Sequence, residues 1–167
     1  MSNQMKRKWI KGEFVGTPQW TLDKMYISPF TSQRRYDEDG VEHYDDIERN
    51  LHPTGIDVMD HYLRWLEEGK NDVAAFCQIY GIRTEDLNSF VFILTGMTSP
   101  AFSRAYQLRM ADELLRYTDM TIPAVARRSG LGSHTNFCVI IQRFYKQTPS
   151  KRRKSLRKKG DEGRFRV

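Results

Sequence analysis

The chain has 167 residues, 39% hydrophobic and 12% aromatic, which suits one or two small domains around a buried core and argues against global disorder. No apolar run approaches the ~18 residues that cross a bilayer, and the first ten residues lack the apolar stretch of a signal peptide, so the expectation is a cytoplasmic protein with no membrane partner. The net charge of +6 is uneven: residues 143–167 hold 11 Lys/Arg against 2 Asp/Glu, and residues 1–142 hold 16 against 19.

Residues 1–55 are rich in aromatics, with Gly12, Gly16, Pro18 and Pro29 interrupting. They read as an irregular or small-β segment, with short strands near Trp9–Val15 and Trp20–Ile27, and a solvated loop or short helix over the acidic stretch Asp37–Glu48. A turn signal at His52-Pro-Thr-Gly55 marks the boundary of a helical domain over 56–157. Ile56, Met59, Leu63 and Leu66 recur at helical spacing and stop before Gly69. Val73, Phe76, Cys77 and Tyr80 form the face of a second helix that Gly81 ends. A third helix is expected to take Thr84 as N-cap, with Glu85 and Asp86 complementing the helix dipole, and to run to Gly96. Ser99-Pro100 opens a long fourth helix to about Tyr117. Thr121 caps a short helix to Ser129, Gly130-Leu-Gly132 makes a tight turn, and Ser133 starts a helix whose Phe137, Ile140, Ile141 and Phe144 face the core. Thr148-Pro-Ser150 caps a last basic helix, and residues 158–167 form a basic tail.

The helical part repeats itself. Val73, Phe76, Cys77, Gly81 and Ile82 match Ile122, Val125, Ala126, Gly130 and Leu131 at a shift of 49. After one inserted residue, Leu87, Phe90, Val91 and Thr98 match Phe137, Ile140, Ile141 and Thr148 at a shift of 50. Each copy is a short helix, a glycine turn and a longer helix, the helix-turn-helix plan in which the second helix enters the major groove. The basic end taken alone is either a solubilising tail or a phosphate-binding edge; beside two such copies it favours DNA. The fold class is therefore mainly α, two helix-turn-helix units joined by a long helix. The sequence has no Ser/His/Asp set, Gly-rich phosphate loop, CxxC motif or paired histidines, so it calls for no enzyme, metal or cofactor. Cys77 and Cys138 lie inside apolar helical patterns and read as small core or near-core residues.

These motifs resemble those of the AraC-type bacterial transcription regulators over roughly residues 59–157. The resemblance lies in Ala111-Asp-Glu-Leu-Leu115, Thr118-Asp-Met-Thr-Ile122, Val125-Ala126, Ser129-Gly-Leu131, Phe137 and Thr148-Pro-Ser150, with Gly81, Leu87 and Gly96 in the first unit. It implies a seven-helix domain whose two recognition helices occupy successive major grooves of double-stranded DNA, recruiting or blocking RNA polymerase. Four positions depart from the family pattern: Gln107 for an arginine in the joining helix, Leu131 for an aromatic, Lys146 for a glycine, and Val139 for an arginine in the second recognition helix.

On the second recognition helix, Ser133, His134, Thr135, Gln142 and Arg143 are the expected DNA contacts, with Gln suited to adenine and Arg to guanine or phosphate. On the first, Arg83 and Thr84 would hold phosphate, and Asn88 and Ser89 would reach bases. Lys151, Arg152, Arg153, Lys154 and Arg157, after the second recognition helix, are the expected phosphate contacts. The run Phe90-Val-Phe-Ile-Leu94 is apolar all round and needs a cover. Residues 1–55 are the nearest candidate and a second subunit, making a homodimer, the next. The segment is too short for a β-barrel ligand pocket, so no sugar, metal or methyl-acceptor site is expected there. The rival reading is a protein-interaction module on a helix-turn-helix scaffold, motivated by Val139, Phe92 and Ile93 near the reading faces.

Overall fold

A computed structural model describes residues 18–167. Its elements in chain order are α1 (Leu22–Met25), β1 (Ser32–Tyr36), β2 (Glu42–Asp46), α2 (Asp57–Glu67), α3 (Val73–Tyr80), α4 (Thr84–Thr95), α5 (Ser99–Tyr117), α6 (Ile122–Arg128), α7 (His134–Tyr145), α8 (Pro149–Leu156) and β3 (Phe165–Arg166). The seven helices α2–α8 are those expected from the repeat and the resemblance, two short-helix/long-helix pairs joined by α5.

Local chemistry sets most of the helix starts. Asp72, Thr98, Thr121, Ser133 and Thr148 each accept a hydrogen bond from the backbone N–H three residues on, opening α3, α5, α6, α7 and α8. Helix α4 is the exception. Its N-cap is Arg83, which makes no side-chain capping bond, and Thr84 is the first helical residue rather than the cap. The Arg83 guanidinium instead folds onto the Asp86 carboxylate of the first turn, at 2.8 and 2.9 Å. Both helix pairs turn on the same bonds: Ile82 N donates to Cys77 O and Leu131 N to Ala126 O.

One hydrophobic cluster runs through both units. Met59, Tyr62, Leu63 and Leu66 of α2 meet Phe76, Leu87 and Val91 in the first unit, and Val125, Ala126, Leu131, Phe137 and Ile141 fill the second. Between them α5 supplies Phe102, Tyr106, Met110, Ala111, Leu114 and Leu115, all buried. Its 19 residues span about 28 Å at ~1.5 Å per residue. Phe144 does not join this core; it is 51% exposed, and Tyr145 beside it packs against the core instead. Both cysteines are free thiols, Cys77 buried and Cys138 half-buried.

The N-terminal segment differs from the sequence expectation in two places. Trp20–Ile27 contains the single-turn helix α1 rather than a strand, and Asp37–Glu48 contains β2 of an antiparallel hairpin rather than a loop or helix. The Asp37 carboxylate builds the turn by accepting from Asp39 N and Val41 N at 3.0 and 2.8 Å. The acidic strand β2 then pairs with the basic strand β1, and β3 adds to the other edge of β1 in the order β2-β1-β3. The expected strand near Trp9–Val15 lies outside the described residues.

The segment's chief partner is also not the one expected. Among the described residues it packs chiefly on α5 and reaches the apolar run of α4 only at Leu94. The Tyr106 hydroxyl donates to Ile27 O and accepts from Ile27 N, and the Tyr26 hydroxyl donates to Glu113 Oε2 at 2.8 Å. It also meets the first unit: Trp20 N donates to Leu94 O, Arg49 pairs with Glu67, and Thr54 N and Gly55 N donate to the Asp60 carboxylate of α2. Val91 and Leu94 are covered within the molecule, whereas Ile93 stays 66% exposed.

Candidate nucleic-acid interface

The outer faces of α4 and α7 are the surfaces on which the reading residues were expected. The shift of 50 makes Thr84, Ser89 and Ile93 the counterparts of His134, Val139 and Arg143, and all six are exposed. Neither helix is sealed inside the molecule.

On α7 the Ser133 hydroxyl is committed to the N-cap, accepting from Asn136 N. His134 and Thr135 follow it on the exposed first turn, and Gln142 and Arg143 are exposed near the other end. Between them stands Val139, 61% exposed, which offers a methyl surface and no hydrogen bond. Asn136, absent from the sequence-based set, braces the tight turn by donating to Leu131 O at 2.9 Å.

The expected contacts on α4 are more heavily engaged. Arg83 is held in its bidentate pair with Asp86, which keeps that carboxyl below its ordinary value. Asn88 Oδ1 accepts from Ser99 N at 2.9 Å and so ties α4 to the start of α5. Thr84, Glu85 and Ser89 are exposed, giving this face one acid, two hydroxyls and the apolar Ile93.

The basic residues of α8 separate into two sets. Arg152 forms a bidentate pair with Asp112 of α5, at 3.0 and 2.6 Å, and lies 3.7 Å over the Tyr145 ring. Arg153 donates to Met120 O, with burial and the adjacent Arg157 lowering its pKa from the usual arginine value. Arg157 donates to Leu115 O and Thr118 O and pairs with Glu162 at 2.7 Å. These three arginines fasten α8 to the end of the joining helix. Lys151 and Lys154 face solvent, without an ion-pair partner among the described residues. Arg127, on the last turn of α6, is also exposed, a cation that reasoning centred on the basic tail did not single out.

The turns of the two units are held differently. Gly81 and Gly130 end α3 and α6 with left-handed φ of 63° and 75°. A methyl group at Gly81 would meet no atom within 4 Å, whereas at Gly130 it would lie 2.9 Å from Gly69 O and 3.2 Å from Gln107 Nε2. Gln107, one of the departures noted in the sequence, is buried and donates to Gly130 O at 3.2 Å.

No family model matches the sequence, and no curated protein matches it. Two solved structures are similar. One is the xylose-binding transcription activator XylR, 25% identical with a TM-score of 0.49, over 64% of this chain and 28% of that chain. The chain thus spans well under a third of XylR. The other is the DNA-binding domain of AdpA, a global transcriptional factor, solved in complex with a target DNA. It is 21% identical, with a TM-score of 0.51, over 59% of this chain and 88% of that domain. The helical part of this chain shares the fold of the AdpA domain.

Proposed function

We propose that the chain binds double-stranded DNA and regulates transcription, with α7 as the principal reader and α4 as the lesser one. The observation that carries this is the duplicated pair of helices, each with its second helix exposed along equivalent positions. The AdpA domain, whose structure contains a target DNA, lends support through its shared fold. The length of α5 supports it too, since about 28 Å is close to the ~34 Å of one duplex turn.

In this reading Thr135, Gln142 and Arg143 contact base edges, His134 contacts the duplex where α7 enters the groove, and Val139 packs on a thymine methyl. Ser133 acts through its cap. On α4, the exposed Thr84 and Ser89 touch DNA, while Arg83 and Asn88 serve mainly the protein's own structure. Lys151, Lys154 and Arg127 neutralise phosphates, and Arg152, Arg153 and Arg157 hold α8 in place beneath them. Regulation then follows from recruiting or obstructing polymerase at a promoter.

Selection of random duplexes by the purified chain at two salt concentrations tests the reading. An enriched motif whose binding weakens steeply with salt is expected. No enriched motif, together with a stably co-purifying protein, would instead favour an interaction module using Val139 and Ile93.

A further inference from the structure

The second unit is connected to the first by more than the joining helix. The loop after α2 reaches across to the turn between α6 and α7. Asn71 Nδ2, from this loop, donates to Gly130 O at 3.0 Å, and Gln107 Nε2, from α5, donates to the same oxygen at 3.2 Å. Gly69, at φ 76°, lies so close to the end of α6 that a methyl group on it would sit 2.5 Å from Arg128 O. Beside this contact, Glu67 at the end of α2 is 7% exposed and receives two arginines on one oxygen. Arg128 Nη2, from α6, lies at 2.7 Å and Arg49 Nη1, from the N-terminal segment, at 3.1 Å. Arg128 also donates to Glu67 O.

We propose that this junction (Glu67, Gly69, Asn71, Gln107, Arg128 and Gly130) is a positioning clamp that fixes the angle between the two recognition helices and so dictates which spacing of DNA half-sites the chain accepts. The inference rests on the DNA-binding reading for its consequence and on the geometry of the junction alone for the clamp. A single helix joining two units leaves them free to bend and swing about its ends. A second connection between the same two units closes a triangle, with α5 as one side and the α2–α3 loop as another. The angle then cannot change without breaking the bonds to Gly130 O. Moving a half-site by one base pair rotates it by roughly 35° about the duplex axis and shifts it by ~3.4 Å. A clamped pair of readers cannot follow that change, and an unclamped pair can.

The first test uses the full chain and the duplex that it selects. Binding is measured to that duplex and to versions with one base pair added or removed between half-sites. The parent chain is expected to lose at least about tenfold in affinity on either change, whereas Asn71→Ala/Gln107→Ala should lose about threefold or less. The salt slope of the double variant should stay that of the parent, since no phosphate contact is removed. Asn71→Ala alone, in an exposed loop, guards against a folding failure and should show an intermediate effect in the same direction. Variants that keep the full spacing penalty would overturn the proposal.

The second test needs no DNA. Spin labels are placed on Ser89→Cys and Val139→Cys in a Cys138→Ser background, Cys77 being buried. The distance distribution is expected to be narrow in the parent and broadened in the Asn71→Ala/Gln107→Ala chain. An equally narrow distribution in both contradicts the clamp. A broadened one, with no motif enriched from random duplexes, would leave the clamp standing and bring down the DNA-binding reading.

Discussion

The two helix-turn-helix units share a backbone plan but differ in what their outer faces carry and in how their turns are held. In the first, Gly81 turns in open space, Arg83 is spent on Asp86, and the exposed face presents Glu85, Ser89 and Ile93. In the second, Gly130 sits under two donors and against Gly69, and the exposed face presents Thr135, Val139, Gln142 and Arg143. The unit richer in hydrogen-bonding side chains is also the one clamped from outside. Duplication of a backbone has not duplicated its surface; in the proposed function the second copy is the principal reader and the first makes the smaller contact.

The largest expected effect separates the turns. Gly81→Ala should cost about 1 kcal/mol, the left-handed penalty alone, whereas Gly130→Ala should cost about 3 kcal/mol or more, because backbone must also move. Urea unfolding midpoints at unchanged slope measure both, and equal costs would erase the distinction between a free turn and a clamped one.

The reading faces come next. Arg143→Ala should reduce discrimination between the selected duplex and its single-base variants by about 1–3 kcal/mol. Its counterpart Ile93→Ala should leave that discrimination unchanged. Competition binding on both variants decides, and a larger loss at Ile93 would reverse the assignment of the principal reader.

Within α8 the two kinds of cation should part company. Arg152→Ala removes the partner of Asp112 and should destabilise the fold by about 2 kcal/mol, because charged hydrogen bonds in a half-buried site are lost. Lys151→Ala should leave stability within about 0.5 kcal/mol, weaken binding to all duplexes alike and lower the salt slope by about one. Matching behaviour of the two variants in melting and in salt titration would dissolve the division between fastening and phosphate-facing residues.

The smallest expected effect lies where the units end. Gly96 closes α4 with φ 72°, and its counterpart Lys146 closes α7 with φ 56°, the one non-glycine residue with positive φ among those described. Lys146→Gly should stabilise the chain by about 0.5–1 kcal/mol, the relief of left-handed strain less the added freedom of the unfolded chain. A lowered melting temperature would mean that the Lys146 Nζ bond to Arg143 O matters more than the strain.

The helices were legible because their periodicity, caps and glycine stops are local signals, and the repeat placed them in pairs. The same locality explains the misses. Strand β2 reads Glu-His-Tyr-Asp-Asp, with no apolar alternation, and is a strand because the basic β1 lies alongside; the Asp39-Gly40 turn between them was the available clue. Phe144 fits the helical apolar spacing, yet that spacing does not tell which of the neighbours Phe144 and Tyr145 meets the core at the end of α7. Of the site, exposure of the α7 face followed from the buried face opposite it. The internal partners of Arg152, Arg153, Arg157 and Asn88 lie on other elements, mostly in α5 and the loop after it, and no sequence pattern pairs them. The junction at Gly130 was hidden for the same reason, although Gln107, as a departure from the family pattern, pointed to the place.

Hydroxyl-radical footprinting of the selected duplex by one chain probes most directly whether two exposed helices lie along one side of DNA. The account predicts two protected patches on the same face, about 10 base pairs apart. A single patch, or two on opposite faces of the duplex, would contradict it.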